Sequence, residues 1–308
     1  MALTLIEAAK MMEGDVLRQS VIELFAMQTD LLRVLPFENI SGNALRYKQE
    51  DTLPGIAFRG IGEGYTESTG VINPQTENLV IVGGDLDVDK FIVRTMGTDH
   101  RAAHEAMKLK ALSHNYSNTF IKGDSITTPK QFDGLQVRLT GNQLVSAGTT
   151  AGGAALSLAK LDEVIDACDD PTHLLMSKAM RRRLTQAARD TAVGGFITYT
   201  QDEFGRQVTN YQGLPILIAD GNADLFATLA FNEAAVSGSA TATSIYVLSL
   251  RPGMLMGIQN GAPEVVDLGE LDASPVLRTR VEWYTGILLE HPRAAARLQH
   301  IGDLAVTA

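Results

Sequence analysis

The sequence has one cysteine, one tryptophan and no apolar run approaching the roughly 20 residues that a membrane-crossing helix needs. A lone thiol, Cys168, excludes an internal disulfide framework and any cysteine-rich zinc site, and implies a chain made and kept in a reducing, cytoplasmic setting. Cys168 continues the apolar stripe of Leu158, Leu161, Val164 and Ile165, so it is expected to be a small core residue. Bases are in deficit as well: 26 Lys and Arg against 36 Asp and Glu leave a formal net charge of −10. That balance argues against a nucleic-acid reader, which carries a basic footprint. It does not argue against a container, because a mildly repulsive wall would leave packed DNA mobile where a basic wall would hold it. Residues 1–5 have neither the basic nor the apolar region of a signal peptide, and the chain shows no internal repeat or low-complexity tract.

Chemistry is scarce too. His100 and His104 have the four-residue spacing of metal ligands on a helix, but Arg101 stands where a metalloprotease helix needs glutamate and no third ligand is near. Asp85, Asp87 and Asp89 imitate the start of a calcium loop, yet Lys90 replaces the required glycine and Met96 the bidentate glutamate. Gly60-Ile61-Gly62-Glu63-Gly64 lacks the preceding apolar strand and following helix of a phosphate cradle. There is no Walker sequence and no Gly-x-Ser-x-Gly elbow. Arg181-Arg182-Arg183 reads as a solvated or interface face. The expectation is therefore no catalytic residue, no cofactor-binding residue, no metal ligand and no cofactor.

What is present is a 308-residue, 33.2 kDa chain that is 45% hydrophobic with a mean hydropathy of +0.02, enough to fold as one large domain or two. Residues 4–30 read as helical pieces, with Leu17, Val21, Leu24 and Phe25 at helical spacing. Asn43–Lys48 looks like an outgoing strand and Asn78–Val82 like a returning one. Pro54, Gly55, Gly60, Gly62, Gly64, Gly70 and Pro74 lie between them, with few large apolar residues. A connection that long without its own core is uncommon in a compact domain, and a lone two-stranded ribbon is marginal in water. Such an arm makes sense lying on another subunit. Asp85–Asp89 alternates as a strand, and a long helix follows from about His100 to Phe120 with Leu109, Leu112, Tyr116 and Phe120 on one face. Gly123-Asp124 ends it.

The middle, from about Leu135 to Leu250, reads as a separate α/β unit. Ser157 caps a helix whose outer positions are Asp162, Glu163 and Asp166. His173–Met176 is a short strand, and Ser177 caps the arginine-bearing helix. Phe196–Thr200 and Gln207–Tyr211 flank a hairpin signal at 202–205, and Leu214–Ala219, Tyr246–Leu250, Leu255–Gln259 and Val265–Leu268 are further strands. At the C-terminus, Leu277, Thr279 and Val281 alternate with Arg278 and Arg280. The strand then passes Trp283 into the apolar Ile287-Leu288-Leu289, and Pro292 introduces a short closing helix over Arg293–Gln299.

The ending Val281-Glu282-Trp283-Tyr284-Thr285-Gly286 with His291-Pro292-Arg293 resembles that of tailed-bacteriophage major capsid proteins with the Hong Kong 97-type fold. Phe120-Ile121-Lys122-Gly123-Asp124, Phe132-Asp133-Gly134-Leu135, Leu161–Asp166, Leu174-Leu175-Met176-Ser177, Gln207–Ile216 and Asp267–Leu271 resemble successive parts of that family, in its order. The resemblance implies an α+β fold with an N-terminal arm (1–38), an extended β E-loop (39–85), a peripheral domain with a spine helix (86–135), an inserted axial domain (136–248), and return strands with a C-terminal helix (249–308). It implies a structural, non-enzymatic virion protein that assembles in the host cytoplasm, as pentamers and hexamers, into an icosahedral head around double-stranded DNA. Portal, scaffolding and decoration proteins would be its other partners, with no membrane contact and no sequence-specific DNA binding. Some relatives carry an N-terminal scaffolding segment of about a hundred residues, and the E-loop begins here near residue 39, so scaffolding is expected to come from a separate protein or to be dispensable. Others join an E-loop lysine to a neighbour's asparagine with the help of a buried glutamate; Lys48 is the sole lysine between Asn39 and Asp89. It sits near the expected base of the outgoing strand, and neither the asparagine nor the glutamate has a match, so no cross-link is expected. The rival readings are an encapsulin-type nanocompartment shell and an α/β enzyme with scattered site residues.

Overall fold

A computed structural model describes residues 3–4, 29–96, 98–188, 197–201, 207–219, 228–272 and 274–307. The helical pieces expected over 4–30, with Leu17, Val21, Leu24 and Phe25, lie largely outside the described residues. The backbone of β1 (Leu3–Thr4) pairs antiparallel with β2 (Pro36–Asn39), and between them a helix, α1 (Asp30–Val34), buries Leu31 and Leu32.

Two sheets carry most of the chain. The first is built on the 14-residue strand β15 (Val276–Leu289). β5 (Val80–Asp89) runs antiparallel along one side of it. On the other side β14 (Glu264–Glu270) pairs with its first half and β13 (Leu255–Gln259) with its second; β2 then joins β13 in parallel. The alternation of Arg278, Thr279, Arg280 and Val281 gives β15 one wet and one packed face. Beyond Tyr284 the strand is buried on both faces, as the apolar run Ile287–Leu289 demands. After a short helix α2 (Lys90–Met96), α3 (Thr98–Lys122) lies against the packed face, and its Leu109, Leu112, Tyr116 and Phe120 are all buried, as their spacing requires. Trp283 is 1% exposed and stacks obliquely on Tyr116 and Phe37, with ring centroids 4.8 and 5.5 Å away.

The second sheet follows the order β6 (Leu144–Ser146), β16 (Ala295–Ile301), β12 (Ala240–Leu248), β7 (His173–Met176), β10 (Leu214–Ile218), β9 (Gln207–Tyr211), β8 (Ile197–Gln201), with β11 (Glu233–Ala234) beside β12. Leu175, Leu217, Tyr246 and Leu248 belong to the same core as α3. Leu174, Met176, Ile216, Val247 and Leu298 share a second core with α5 (Leu158–Asp166) and α6 (Lys178–Ala187). The Ser177 hydroxyl accepts from the Met180 amide at 3.2 Å, as an N-cap should. The two strands of the expected hairpin, β8 and β9, pair antiparallel from Ile197 opposite Tyr211 to Gln201 opposite Gln207.

Glycine is needed where backbones meet. The Gly134 amide donates to the Gly123 carbonyl at 2.9 Å, and a Cβ at Gly134 would lie 2.5 Å from the Thr119 carbonyl oxygen. This contact folds the post-helix turn back to start α4 (Leu135–Arg138).

Three expectations fail. Residues 293–299 do not form a closing helix: 295–301 form β16, held between β12 and β6. Ala294, Ala295, Ala296 and Leu298 are fully buried on both faces, and a strand buried on both faces has no alternation to distinguish it from a short helix. The return strand of the long connection is β4 (Val71–Asn78), not 78–82; Pro74 and its polar composition conceal a strand that pairs only with β3 (Ala44–Thr52). Residues 80–82 and 85–89, expected in separate strands, belong instead to one strand, β5, which runs unbroken through Gly83-Gly84.

Candidate functional site

Among the described residues, the most exposed apolar surface lies on the hairpin of β3 and β4, paired from Ala44 opposite Asn78 to Thr52 opposite Val71. Its base is fixed to the body. The Tyr47 hydroxyl donates to the Leu289 carbonyl at 3.0 Å, and the Leu79 amide donates to the Asn43 carbonyl at 2.9 Å. The Arg138 guanidinium grips both carboxylate oxygens of Glu77, one bond being 2.8 Å. Burial, and then the nearby Glu77 carboxylate, push the Tyr47 phenol above its ordinary pKa, so it stays a donor. Leu45, Tyr47 and Leu79 pack on a small cluster of Ile40, Met256, Ile258 and Leu288.

The tip, residues 53–70, has no such support. Leu53, Ile56, Phe58, Ile61 and Tyr65 are all exposed, Ile56 at 97%. Its order is local. Gly62, at φ +88°, sits in a turn where the Gly60 amide donates to Glu63 Oε2 at 2.9 Å. Arg59 donates to the Glu63 carbonyl at 3.0 Å and lies 5.0 Å from the Tyr65 ring centre. The Ser68 hydroxyl donates to the Gly55 carbonyl at 2.8 Å. The composition of the connection does not show that these five share one unsupported tip; the alternation of Ile56 and Phe58 is the signal that the sequence offers.

Asp85 and Asp87, which imitated a calcium loop, are rungs of a cross-strand ion ladder. Arg280 holds Asp85 through bonds of 2.7 and 3.0 Å, and Arg278 holds Asp87 at 2.7 and 2.6 Å. These arginines hold both carboxyls below the usual carboxylate range. On the same wet face Ile81 and Tyr284 are exposed, and Ala262, Val266 and Tyr284 line a shallow groove of about 120 Å³ with Arg280 and Glu282.

His104 lies on α3, while the His100 side chain is outside the described residues. Among the described residues no group of three His, Cys, Asp or Glu side chains is placed to hold a metal. Burial, and then Asp169, push the Cys168 thiol up to about 12. Ser146 Oγ lies 3.1 Å from His300 Nδ1 and donates to the Gly148 carbonyl at 2.9 Å. A buried ion pair, Arg297 with Glu233 at 3.0 Å, ties β16 to β11 beside the end of α3, where Lys122 approaches Glu233 at 4.0 Å. Arg183 pairs with Asp303 at 2.8 Å. The described groups hold the fold together; what they leave open is surface.

The family model for major capsid protein GP7 matches residues 13–158, a little under half of the chain. Comparison with curated proteins by sequence gives no match. Among solved structures, the SrpI encapsulin complex of Synechococcus elongatus PCC 7942 superposes with a TM-score of 0.64 at 17% identity, over 90% of this chain and 89% of that one. The capsid of a native GTA particle gives 0.62 at 15%, over 89% and 90%. A Mycobacterium phage Bobi structure gives 0.61 at 14%, over 88% and 89%. Taken together, these likenesses give the chain the α+β Hong Kong 97-type fold, with residues 13–158 similar to major capsid protein GP7.

Proposed function

We propose that this protein tiles the icosahedral head of a tailed phage as pentamers and hexamers around double-stranded DNA, and that it catalyses no reaction. The tip of the β3–β4 hairpin carries this reading: five large apolar side chains stand in water on an arm too thin to bury them, and a neighbouring subunit would cover them. We assign 1–38 to the N-terminal arm, 39–85 to the E-loop, 86–135 with 249–308 to the peripheral domain, and 136–248 to the axial domain. The strand β16 crosses into the second sheet, so the end of the chain would brace the axial domain as well. Heterologous contacts repeated around a ring close it and limit growth. A net charge of −10 suits a wall that encloses DNA without gripping it. Portal, scaffolding and decoration proteins would complete the head, which would form in the host cytoplasm.

An encapsulin-type compartment is the second reading, favoured by the SrpI structure; the capsid family match favours the phage head. Electron microscopy of the purified chain, with and without candidate scaffold, tests the proposal. Shells, tubes or capsomers are expected, and a monomer at high concentration under every condition would overturn it.

A further inference from the structure

The helices α5 and α6 pack on the same face of the second sheet and carry opposite charge. Over ten residues α6 holds Lys178, Arg181, Arg182 and Arg183 with no acid, while α5 holds Asp162, Glu163 and Asp166 against Lys160 alone. Most of these groups are engaged within the chain. Arg183 pairs with Asp303, Glu163 with Lys160 at 2.6 Å, and Asp162 accepts from the Tyr211 hydroxyl at 2.8 Å. Three are not: Arg182 and Asp166, both exposed, and Arg181, half-buried, have no side-chain partner among the described residues.

We infer that the α6 surface at Arg181 and Arg182 docks on Asp166 of a second copy of this chain, as a directional contact between neighbouring subunits. The inference rests on the self-assembly proposed above. Arginine forks suit carboxylates, and arginine is enriched at protein interfaces. A phosphate track engages many cations, about 6–10 in a typical complex, whereas α6 offers two. A chain of net charge −10 brings its own carboxylates to every contact, one copy for each copy. Opposite charge on two helices of one chain favours a head-to-tail arrangement and penalises like meeting like.

Charge exchange tests it, with sedimentation and electron microscopy as readouts and circular dichroism as the check that each variant folds. The double variant Arg181→Asp/Arg182→Asp should fold and lose at least tenfold in assembled fraction, and Asp166→Arg should do the same. The triple variant should recover assembly, and wild-type assembly should weaken in high salt. If the wild type assembles and the double variant assembles equally well, this contact is refuted while self-assembly stands. Failure of the triple variant to recover, with all variants folded, also refutes it. Intact double-variant shells that lose only their DNA would reassign the arginines to nucleic acid. If the wild type fails to assemble, self-assembly itself falls. Should either parent variant misfold, Arg181→Ala/Arg182→Ala is the substitute, with the same tenfold loss expected and unchanged assembly refuting the contact.

Discussion

The indole N–H of Trp283 donates to Oε1 of Gln259 at 3.1 Å, tying the middle of β15 to the end of β13 inside the core. The same indole lies against Tyr116 of the long helix, whose hydroxyl reaches the Gly286 carbonyl at 3.4 Å. One side chain thus fixes both the packing of helix on sheet and the pairing within the sheet. Trp283→Ala should cost about 3–5 kcal/mol and abolish soluble protein. Gln259→Leu keeps the volume but removes the acceptor, and should cost about 1–3 kcal/mol. Thermal unfolding distinguishes them; a Trp283→Ala protein that is soluble with an unchanged midpoint would show that β15 is peripheral to stability.

Gly257 lies opposite Phe37 in the parallel pair of β2 and β13, and a Cβ there would stand 2.3 Å from the Phe37 ring. That ring is confined by Tyr116 and Trp283, with its centroid 5.9 and 5.5 Å from theirs. Gly257→Ala is therefore expected to destabilise by about 1–3 kcal/mol through overpacking. Combination with Phe37→Leu should recover part of the loss, and two additive penalties would contradict this account.

Much of this core was legible because it rests on long, clean periods. Leu109, Leu112, Tyr116 and Phe120 repeat at helical spacing, and 276–283 at strand spacing. Both elements form as read, although α3 extends to Lys122. The misreadings share a physical cause. A strand buried on both faces, such as 295–301, shows no alternation, and a hairpin strand such as 71–78 shows polar residues and a proline because no core selects its side chains. The Arg138–Glu77 fork and the Arg297–Glu233 pair join residues 61 and 64 positions apart, which no local pattern announces. The apolar tip was visible in composition, but its lack of cover is a fact of three dimensions.

Removing residues 53–70 should leave the body folded, since that segment's side chains are exposed and its hydrogen bonds close on themselves. The unfolding midpoint should shift by no more than a degree or two, whereas shells or capsomers should fail to form. Intact shells of unchanged stability would remove the tip from the assembly contacts.

His173 is held well below an ordinary imidazole, at about 4, by burial. Its folded pKa lies below the unfolded value of about 6.5, so between those values the unfolded chain binds more protons. Stability carried by the neutral ring is fully present above pH 6.5 and is lost as pH falls toward 4, by on the order of 3 kcal/mol at most. His173→Gln should flatten the fall of unfolding free energy between pH 6.5 and 4 relative to wild type. An unchanged slope would show that carboxylates alone govern acid stability.

Lys48 is exposed on β3 directly opposite Pro74, within the paired part of the hairpin and four positions short of its last residue, Thr52. A covalent link to a neighbour needs the amine to reach a second subunit, and Lys48 stands in the paired stem of the hairpin rather than at its tip. A lysine there serves the commoner purpose of keeping a strand edge soluble. Assembled particles boiled in detergent should therefore release a single band near 33.2 kDa. A ladder of covalent oligomers that vanishes in Lys48→Ala would contradict this, and would mean that a neighbouring subunit comes within reach of the Lys48 amine.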